Sequence, residues 1–401
     1  MKVLGILRGI PASGKSTWII NNELMPYTLC PDDYRIQLGA VTLNEYGKQH
    51  ISSKYDKVAW KRLYEDLEAR MNLGQFVLVD ATSTKSSSFK EYKALASKYR
   101  YRMFIIDFTK GIEVNEEYIN EIKRRNANRT PSYKIVPESV IDRMVEQIKQ
   151  PLPPELEKLR ITPSEFINFC DSYYTENIKD LNEYESVVVI GDIHGCYDAL
   201  IDGLKQAKAL DDNNSIKENI FYIFCGDYID RGIQNTEVVN FIYDIMEKPN
   251  VIILEGNHES HILRLRDRND YYNIIPKARE TIKTLTNMSA ETVHKLKAVA
   301  RKCRQNFIFA YRDDTYDVTH AAKACPVDIK TTSVNNIIKG IGLDPYRMSK
   351  ITDLEWSKNN SMYSIHGHSN VENEPIHNTE RTFNLCDSVE FGGNLRILKL
   401  S

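Results

Sequence analysis

Short apolar runs alternate with longer mixed stretches through the first 150 residues of this chain. Lys2 to Leu7, Thr28 to Cys30, Phe76 to Val79 and Tyr101 to Phe108 read as strands. The chain reads as helix from Lys15 onward, and again in a Lys- and Tyr-rich stretch before Tyr101. Strands that alternate with helices predict a parallel sheet covered on both faces. Pro151, Pro153 and Pro154 then break the pattern. Thr162-Pro163-Ser164-Glu165 predicts a new helix, with Thr162 as N-cap, Pro163 in the first helical position and Glu165 reaching back to the cap amide. That helix is expected to run to the neighbourhood of Asn182 as a connector. From Ser186 a second strand-rich region opens with Val187 to Ile190, and the runs Phe221–Cys225 and Val251–Leu254 follow. The expected organisation is a first domain over residues 1–150, a Pro-rich and helical linker over 151–185, and a second domain over 186–401.

Composition narrows the picture. With 42% hydrophobic and 27% charged residues, disorder over the whole chain is excluded. No apolar run approaches the roughly 18 residues of a membrane span. Arg8 and Gly9 cut the N-terminal apolar stretch too short for a signal peptide. No membrane partner and a cytoplasmic location are therefore expected. A net charge of −2 excludes a globally basic nucleic-acid binder but leaves room for a local basic groove. The seven cysteines include no C-x-x-C pair and read as reduced thiols. Histidine is skewed: all but His50 lie beyond residue 190, which predicts two halves with different chemistry.

Gly9-Ile10-Pro11-Ala12-Ser13-Gly14-Lys15-Ser16 fits G-x-x-x-x-G-K-[ST] and is followed by Thr17. It follows an expected strand and opens an expected helix, the context this phosphate-binding motif requires. Gly9 and Gly14, flanking Ser13, let backbone amides curl around phosphate oxygens, and the helix N-terminus adds favourable partial charge. Lys15 would reach the β- and γ-phosphates of ATP and Ser16 would hold magnesium. The bland alternative is a chance glycine turn. Asp32-Asp33-Tyr34-Arg35 sits past the second expected strand, at the end that faces the phosphate site. A carboxylate there can take a proton from an attacking hydroxyl, and Arg35 can clamp a phosphate on the acceptor. The alternative is an exposed acidic turn. The basic run Lys123 to Arg129 reads either as a lid over the nucleotide or as a solvated helix end.

A P-loop, then Asp-Asp-Tyr-Arg, then Arg125-Asn126-x-x-Arg129 resembles the 5′-polynucleotide kinases of phage and bacterial end-healing enzymes over residues 1–150. The resemblance implies Asp32 as general base on a 5′-hydroxyl, Arg35 on the acceptor's 3′-phosphate, and Arg125 and Arg129 as lid residues. Asp80 matches the aspartate after that family's third strand.

In the second half, Gly191-Asp192-Ile193-His194-Gly195, Gly226-Asp227-Tyr228-Ile229-Asp230-Arg231-Gly232 and Gly256-Asn257-His258-Glu259 each follow an apolar strand. Asp, His and Asn delivered by separate strand ends are how a dinuclear metal site is built. These segments resemble the binuclear metallophosphoesterases, particularly the calcineurin-like branch. By that resemblance Asp192 and His194 hold the first metal, Asp227 bridges and Asn257 joins the second. His258 becomes general acid, and Arg231 binds phosphate oxygens. His320, in Val318-Thr319-His320-Ala321, fits a further ligand. His366-Gly367-His368-Ser369 offers two candidates for the last, and the family's Gly-His pattern picks His368. Asp387-Ser388-Val389-Glu390-Phe391-Gly392-Gly393 resembles the closing Asp-Thr-Gly-x-x-Phe-Gly-Gly stretch, with Ser388 for Thr and Val389 for Gly. Valine tolerates a positive φ poorly, so the local turn and the role of Asp387 stay open. Arg264, Arg266 and Arg268 read as strand-groove or as surface arginines.

The two resemblances together imply an α/β P-loop kinase domain followed by an α/β metallophosphoesterase β-sandwich domain. The implied enzyme uses ATP and Mg²⁺ to phosphorylate 5′-hydroxyl ends. It uses two divalent metals, Mn²⁺ by expectation, to remove 3′-phosphates. Its partners would be RNA or DNA ends, with 2′,3′-cyclic phosphate left open as a substrate. The chain contains no Lys-x-Asp-Gly nucleotidyl-transfer motif, so a separate RNA ligase is expected, in a bacterial or phage-infected cytoplasm. Two rivals remain: a small-molecule kinase fused to a phosphoprotein or dinucleotide phosphatase, and a phosphatase controlled by an ATP switch.

Overall fold

A computed structural model describes residues 2–262, 278–322, 329–340, 362–369 and 377–401. The chain clusters into two units, Met1–Tyr173 with Ile329–Val334, and Tyr174–Asp328 with Asn335–Ser401. Arg264, Arg266 and Arg268 lie outside the described residues.

In the first unit the strands are β1 (Val3–Arg8), β2 (Thr28–Leu29), β3 (Val41–Leu43), β4 (Gln49–Ile51), β5 (Val77–Val79), β6 (Arg102–Asp107) and β7 (Arg160–Ile161). Five of them form one sheet in the order β2-β5-β1-β6-β7, and every pair is parallel. All six residues of β1 are buried, as a strand covered on both faces must be. β3 and β4 form a separate antiparallel hairpin. At the carboxyl edge Arg8 stands in register with Asp107. Their side chains pair at 2.6 Å, and Arg160 of β7 binds the same carboxylate at 2.6 Å.

The expected linker is divided rather than free. β7 joins the first sheet, and the helix Pro163–Glu176 begins with the expected cap. Glu165 N–H donates to Thr162 Oγ1 at 3.1 Å, and Thr162 N–H donates to the Glu165 carboxylate at 2.6 Å. Phe166 of that helix is fully buried, with its ring 5.6 Å from Phe104 and 6.0 Å from Phe76. Apolar burial thus assigns this helix's first turn to the first unit. The helix also ends short of Asn182, because β8 (Lys179–Asp180) pairs with a strand of the second unit.

The second unit continues with β9 (Ser186–Ile190), β10 (Ile220–Phe224), β11 (Val251–Ile253), β12 (Asn306–Tyr311), β13 (Asp314–Thr319), β14 (Met362–His366), β15 (His377–Thr379), β16 (Thr382–Asn384) and β17 (Ile397–Leu400). Two sheets result, β11-β10-β9-β17 and β15-β16-β14-β13-β12-β8. Val187, Val189, Phe221 and Ile223 pack between the sheets against Phe307, Phe309, Val318 and Ile365. Val188, Ile190, Tyr222 and Phe224 point the other way, into a core shared with Leu200, Val238, Ile242 and Leu296 of the covering helices. A strand covered twice needs no polar face, which explains the unbroken apolar runs. β9, β10 and β11 run parallel, so their carboxyl ends share one edge. β13 and β14 are likewise parallel, bringing His320 and His368 out at one edge of the second sheet. The α/β class expected from the sequence is the class of this chain, with a parallel sheet first and a mixed two-sheet unit second.

Candidate functional site

In the first unit, the residues after β1, β2 and β5 line one cleft of about 1980 Å³. Gly14 takes φ +96°, a left-handed conformation that glycine adopts without strain. Lys15 Nζ donates to the carbonyls of Gly9 at 2.8 Å and Ile10 at 2.9 Å. Burial pushes its pKa down to about 8 against the pull of Asp80. Ser16 Oγ donates to Asp80 Oδ2 at 3.4 Å, and burial pushes the Asp80 carboxyl up. Thr17 lines the cleft beside them, while Ser13 Oγ is buried without a hydrogen-bond partner. A Cβ on Gly9 would lie 2.6 Å from that oxygen, so the loop closes tightly only with glycine there.

Asp32 and Arg35 come from the helix Pro31–Gly39, whose start turns both toward the cleft. Arg35 Nη1 donates to Asp32 Oδ1 at 2.5 Å, and Arg35 Nε donates to Asp56 Oδ1 at 2.6 Å. Asp56 escaped the sequence reading because it lies in no motif; an acidic residue in a first helical turn is ordinary. The basic run splits between its two readings. Lys123 pairs with Asp142 at 2.7 Å and Arg124 with Glu121 at 2.7 Å, as on a solvated helix face. Arg125 and Arg129 line the cleft; Arg125 Nε donates to Glu121 at 2.6 Å and Arg129 Nη1 to the Lys134 carbonyl at 2.5 Å.

In the second unit, the segments that follow β9, β10, β11, β13 and β14 gather Asp192, His194, Asp227, Asn257, His258, His320 and His368, with Asn257 and His258 opening the helix Asn257–Ile262. Ligand atoms of His194, Asp227 and His258 lie within 4.8 Å of one another, as do those of Asp227, His320 and His368. Asp227 belongs to both groups, the position of a bridging carboxylate. Asn257 Oδ1 lies 3.1 Å from His320 Nε2 and 2.9 Å from His368 Nδ1. Asp192 Oδ2 accepts the His368 backbone N–H at 2.7 Å, while Asp192 Oδ1 is buried without a hydrogen bond, 3.7 Å from His320 Nδ1. His366 is fully buried in β14, with Nδ1 3.0 Å from the Gly367 carbonyl, and belongs to neither group.

The residues fit a pair of hard or borderline divalent cations. Three observations support the fit: the buried Asp192 Oδ1 makes no hydrogen bond, one carboxylate is shared, and imidazoles converge on it. Two glycines make the approach possible. A Cβ on Gly367 would lie 2.1 Å from Asp192 Oδ1, and one on Gly256 would lie 2.2 Å from Asp227 Oδ1. His194, Asp227, Asp230, Arg231 and His368 all have positive φ, from 44° to 75°, the strained backbone that clusters at functional sites. Electrostatics agree. Burial would raise Asp227, but His320, His258 and His194 hold it well below the usual carboxylate range. Burial lowers His258 and His320, yet neighbouring carboxylates outweigh it and push both up to about 9.

Three interactions went unread in the sequence. His258 Nδ1 lies 2.6 Å from Asp230 Oδ2, which also accepts from Thr281 Oγ1. Asp230 sat inside a quoted motif, but its contact with Thr281 is long-range. Glu259 accepts the backbone N–H groups of Asp227 at 2.8 Å and Tyr228 at 2.9 Å, which holds the bridging loop. Arg231 Nη1 lies 3.1 Å from His194 Nε2 and donates to Glu390 at 2.6 Å. In the closing motif the positive φ falls on Ser388, at 48°, and on Gly392, while Val389 opens a 3₁₀ turn. Val389 therefore carries no left-handed strain, and the turn left open by the sequence closes through Ser388 and Gly392. Asp387 accepts from Arg396 Nη2 at 3.2 Å and from the Asn394 amide at 3.2 Å.

With this geometry in hand, comparison with known proteins separates the two units. Residues 4–151 match an AAA domain, and residues 186–372 match the calcineurin-like phosphoesterases. The chain thus joins an AAA-type domain to a calcineurin-like metallophosphoesterase domain. Over 75 residues it is 39% identical to the serine/threonine-protein phosphatase PP1-delta of Caenorhabditis elegans, covering 18% of this chain and 22% of that protein. It is 36% identical over 75 residues to a symmetrical bis(5′-nucleosyl)-tetraphosphatase of Vibrio cholerae, covering 19% of this chain and 25% of that protein. The chain spans about a quarter of the length of the curated relatives it matches. Among solved structures, a cold-active protein tyrosine phosphatase is similar over 56% of this chain and 75% of its own, at 19% identity and a TM-score of 0.41. No described helix is long and apolar enough to cross a membrane.

Proposed function

We propose that this chain is a bifunctional nucleic-acid end-healing enzyme, a polynucleotide 5′-hydroxyl kinase and 3′-phosphatase. One observation carries the reading: Arg35 stands 2.5 Å from Asp32 in the cleft that also holds Lys15 and Ser16. A carboxylate that can accept a hydroxyl proton, beside a guanidinium that can hold a phosphate, suits an acceptor already phosphorylated nearby. A nucleotide strand is such an acceptor. Asp32 takes the 5′-hydroxyl proton and Arg35 holds the 3′-phosphate. Lys15, Arg125 and Arg129 offset charge on the ATP phosphates, with Ser16 placed for Mg²⁺.

In the second unit Asp192, His194, Asp227, Asn257, His320 and His368 would hold two divalent cations, Mn²⁺ by preference. When bound, such a pair supplies Lewis acidity to a phosphate ester and its attacking water. Arg231 binds phosphate oxygens. His258, oriented through Nδ1 by Asp230, donates its proton to the leaving oxygen. The products, 5′-phosphate and 3′-hydroxyl, are what a separate RNA ligase consumes, and the setting is a bacterial or phage-infected cytoplasm.

The test uses an oligoribonucleotide with a 5′-hydroxyl and a 3′-phosphate, incubated with protein, ATP, Mg²⁺ and Mn²⁺. Both ends are then mapped by mass. Gain of 5′-phosphate with loss of 3′-phosphate is expected. Loss at the 3′ end alone overturns the kinase half. A second reading, a phosphoprotein or dinucleotide phosphatase joined to a small-molecule kinase, is favoured by the names of two of the curated relatives. Equal phosphorylation of free nucleosides and oligonucleotides would select it.

A further inference from the structure

The cleft of the first unit is larger than its phosphate chemistry requires. At about 1980 Å³ it is roughly twice the upper end of the ~300–1,000 Å³ typical of single small-molecule sites. Its extra wall is aromatic. The helix Asp56–Asn72 buries Ala59, Leu63, Leu67 and Met71 in the core. Asp56, Trp60 and Tyr64, at four-residue spacing, line the cleft, and Trp60 and Tyr64 also pack against that core. Asp56 is the residue that holds Arg35 at 2.6 Å, and Trp60 sits one helical turn along from Asp56. Trp60 is half-buried and stacks on Tyr64, with ring centroids 5.9 Å apart at 30°. Tyr64 in turn rests on the buried Tyr92 at 5.5 Å. The plate is therefore backed from behind and loses little freedom on binding. Across the cleft, the β3–β4 hairpin is tied to the segment after Arg129, where Ser132 Oγ donates to Gln49 at 3.3 Å.

We infer that Trp60 is a stacking platform for the nucleobase of the acceptor nucleotide whose phosphate Arg35 binds. The inference rests on the kinase reading above and gives it a base-recognition element. A π-face accepts any base, so the platform adds affinity without sequence preference.

The experiment compares wild type, Trp60→Ala and Trp60→Phe in the full chain. Acceptors are a 5′-hydroxyl oligoribonucleotide ending in 3′-hydroxyl and the same strand with an abasic 5′-terminal nucleotide. Trp60→Ala is expected to raise the acceptor KM about tenfold, from the usual strength of base–aromatic stacking. It should leave the abasic acceptor and the KM for ATP within twofold of wild type, and Trp60→Phe should restore most of the difference. An unchanged acceptor KM overturns the platform. An equal loss on the abasic strand, or a matching rise in the KM for ATP, overturns it too, the latter by assigning Trp60 to the ATP base. If wild type phosphorylates no polynucleotide end, the kinase reading itself fails and the platform with it. Failure confined to the variants removes the platform alone.

Discussion

At Lys15 one side chain meets two opposed demands. It must carry charge to meet phosphate, yet burial drives its pKa down to about 8 and leaves two loop carbonyls as its partners. A nucleotide polyphosphate would supply the negative charge the carbonyls lack. In the second unit the demand is reversed: buried carboxylates draw positive charge and push the His258 and His320 imidazoles up to about 9, and at His320 a bound cation would supply that charge instead. On the proposed reading the two chemistries use separate residue sets. Lys15→Ala and Asp32→Ala are expected to lower ATP-dependent phosphoryl transfer by at least about 10²-fold while sparing the phosphatase. Asp192→Ala, Asp227→Ala and His258→Ala should do the reverse by a similar or larger factor. Steady-state rates of both reactions on each folded variant check this. Loss of both activities in one folded variant rules out independent sites.

At the scale of elements, strand ends and the turns after them set the site. β9 ends at Ile190, and Gly191 then passes the backbone at Leu385: a Cβ on Gly191 would lie 2.0 Å from the Leu385 carbonyl oxygen. Backbone cannot yield as a flexible side chain can. Gly191→Ala is expected to destabilise the second unit by roughly 1–3 kcal/mol, the usual range for forced overpacking. It should also displace Asp192, the next residue, and lower phosphatase rate more than kinase rate. Urea unfolding of wild type and variant measures the first effect. An unshifted midpoint would show that the close approach is relieved at little cost.

At the scale of the whole molecule, long-range polar contacts lock elements that apolar packing brings near. Asp107 of β6 joins Arg8 of β1 and Arg160 of β7, and Arg8 Nη2 also donates to the Ile148 carbonyl at 3.0 Å. Burial would raise the Asp107 carboxyl, but Arg8, Thr109 and Arg160 outweigh it and hold it below its ordinary value of 3.8. A depressed carboxyl contributes stability that is full above the unfolded value and is lost as pH falls through the folded one. Asp107→Asn leaves Arg8 buried without its counter-charge and is expected to cost about 3–5 kcal/mol at pH 7. The gap between wild type and Asp107→Asn should then narrow below about pH 4. Urea midpoints of both proteins at pH 7 and pH 3 decide it. A gap that stays constant or widens contradicts the ion-pair account.

Much of this protein was legible before any fold. The alternation of apolar runs named the α/β class, because a strand covered on both faces has no polar positions to disguise it. Local motifs named Lys15, Ser16, Asp192, Asp227 and Asn257, and the fold gathers these residues into its two candidate sites. Thr162 and Glu165 announced their helix through bonds only three residues long. What only tertiary structure decided was everything that depends on contacts between distant residues. Asp56 behind Arg35, Thr281 behind Asp230 and Glu390 beside Arg231 leave no mark in local spacing. His368 stands beside Asn257 and His366 does not, because β14 ends between them and its last residue turns into the core. The helix after Pro163 starts in the first unit because Phe166 found Phe104 and Phe76 there. Sequence order carries periodicity and short-range bonds; which distant side chains share a buried volume is settled only when the chain packs.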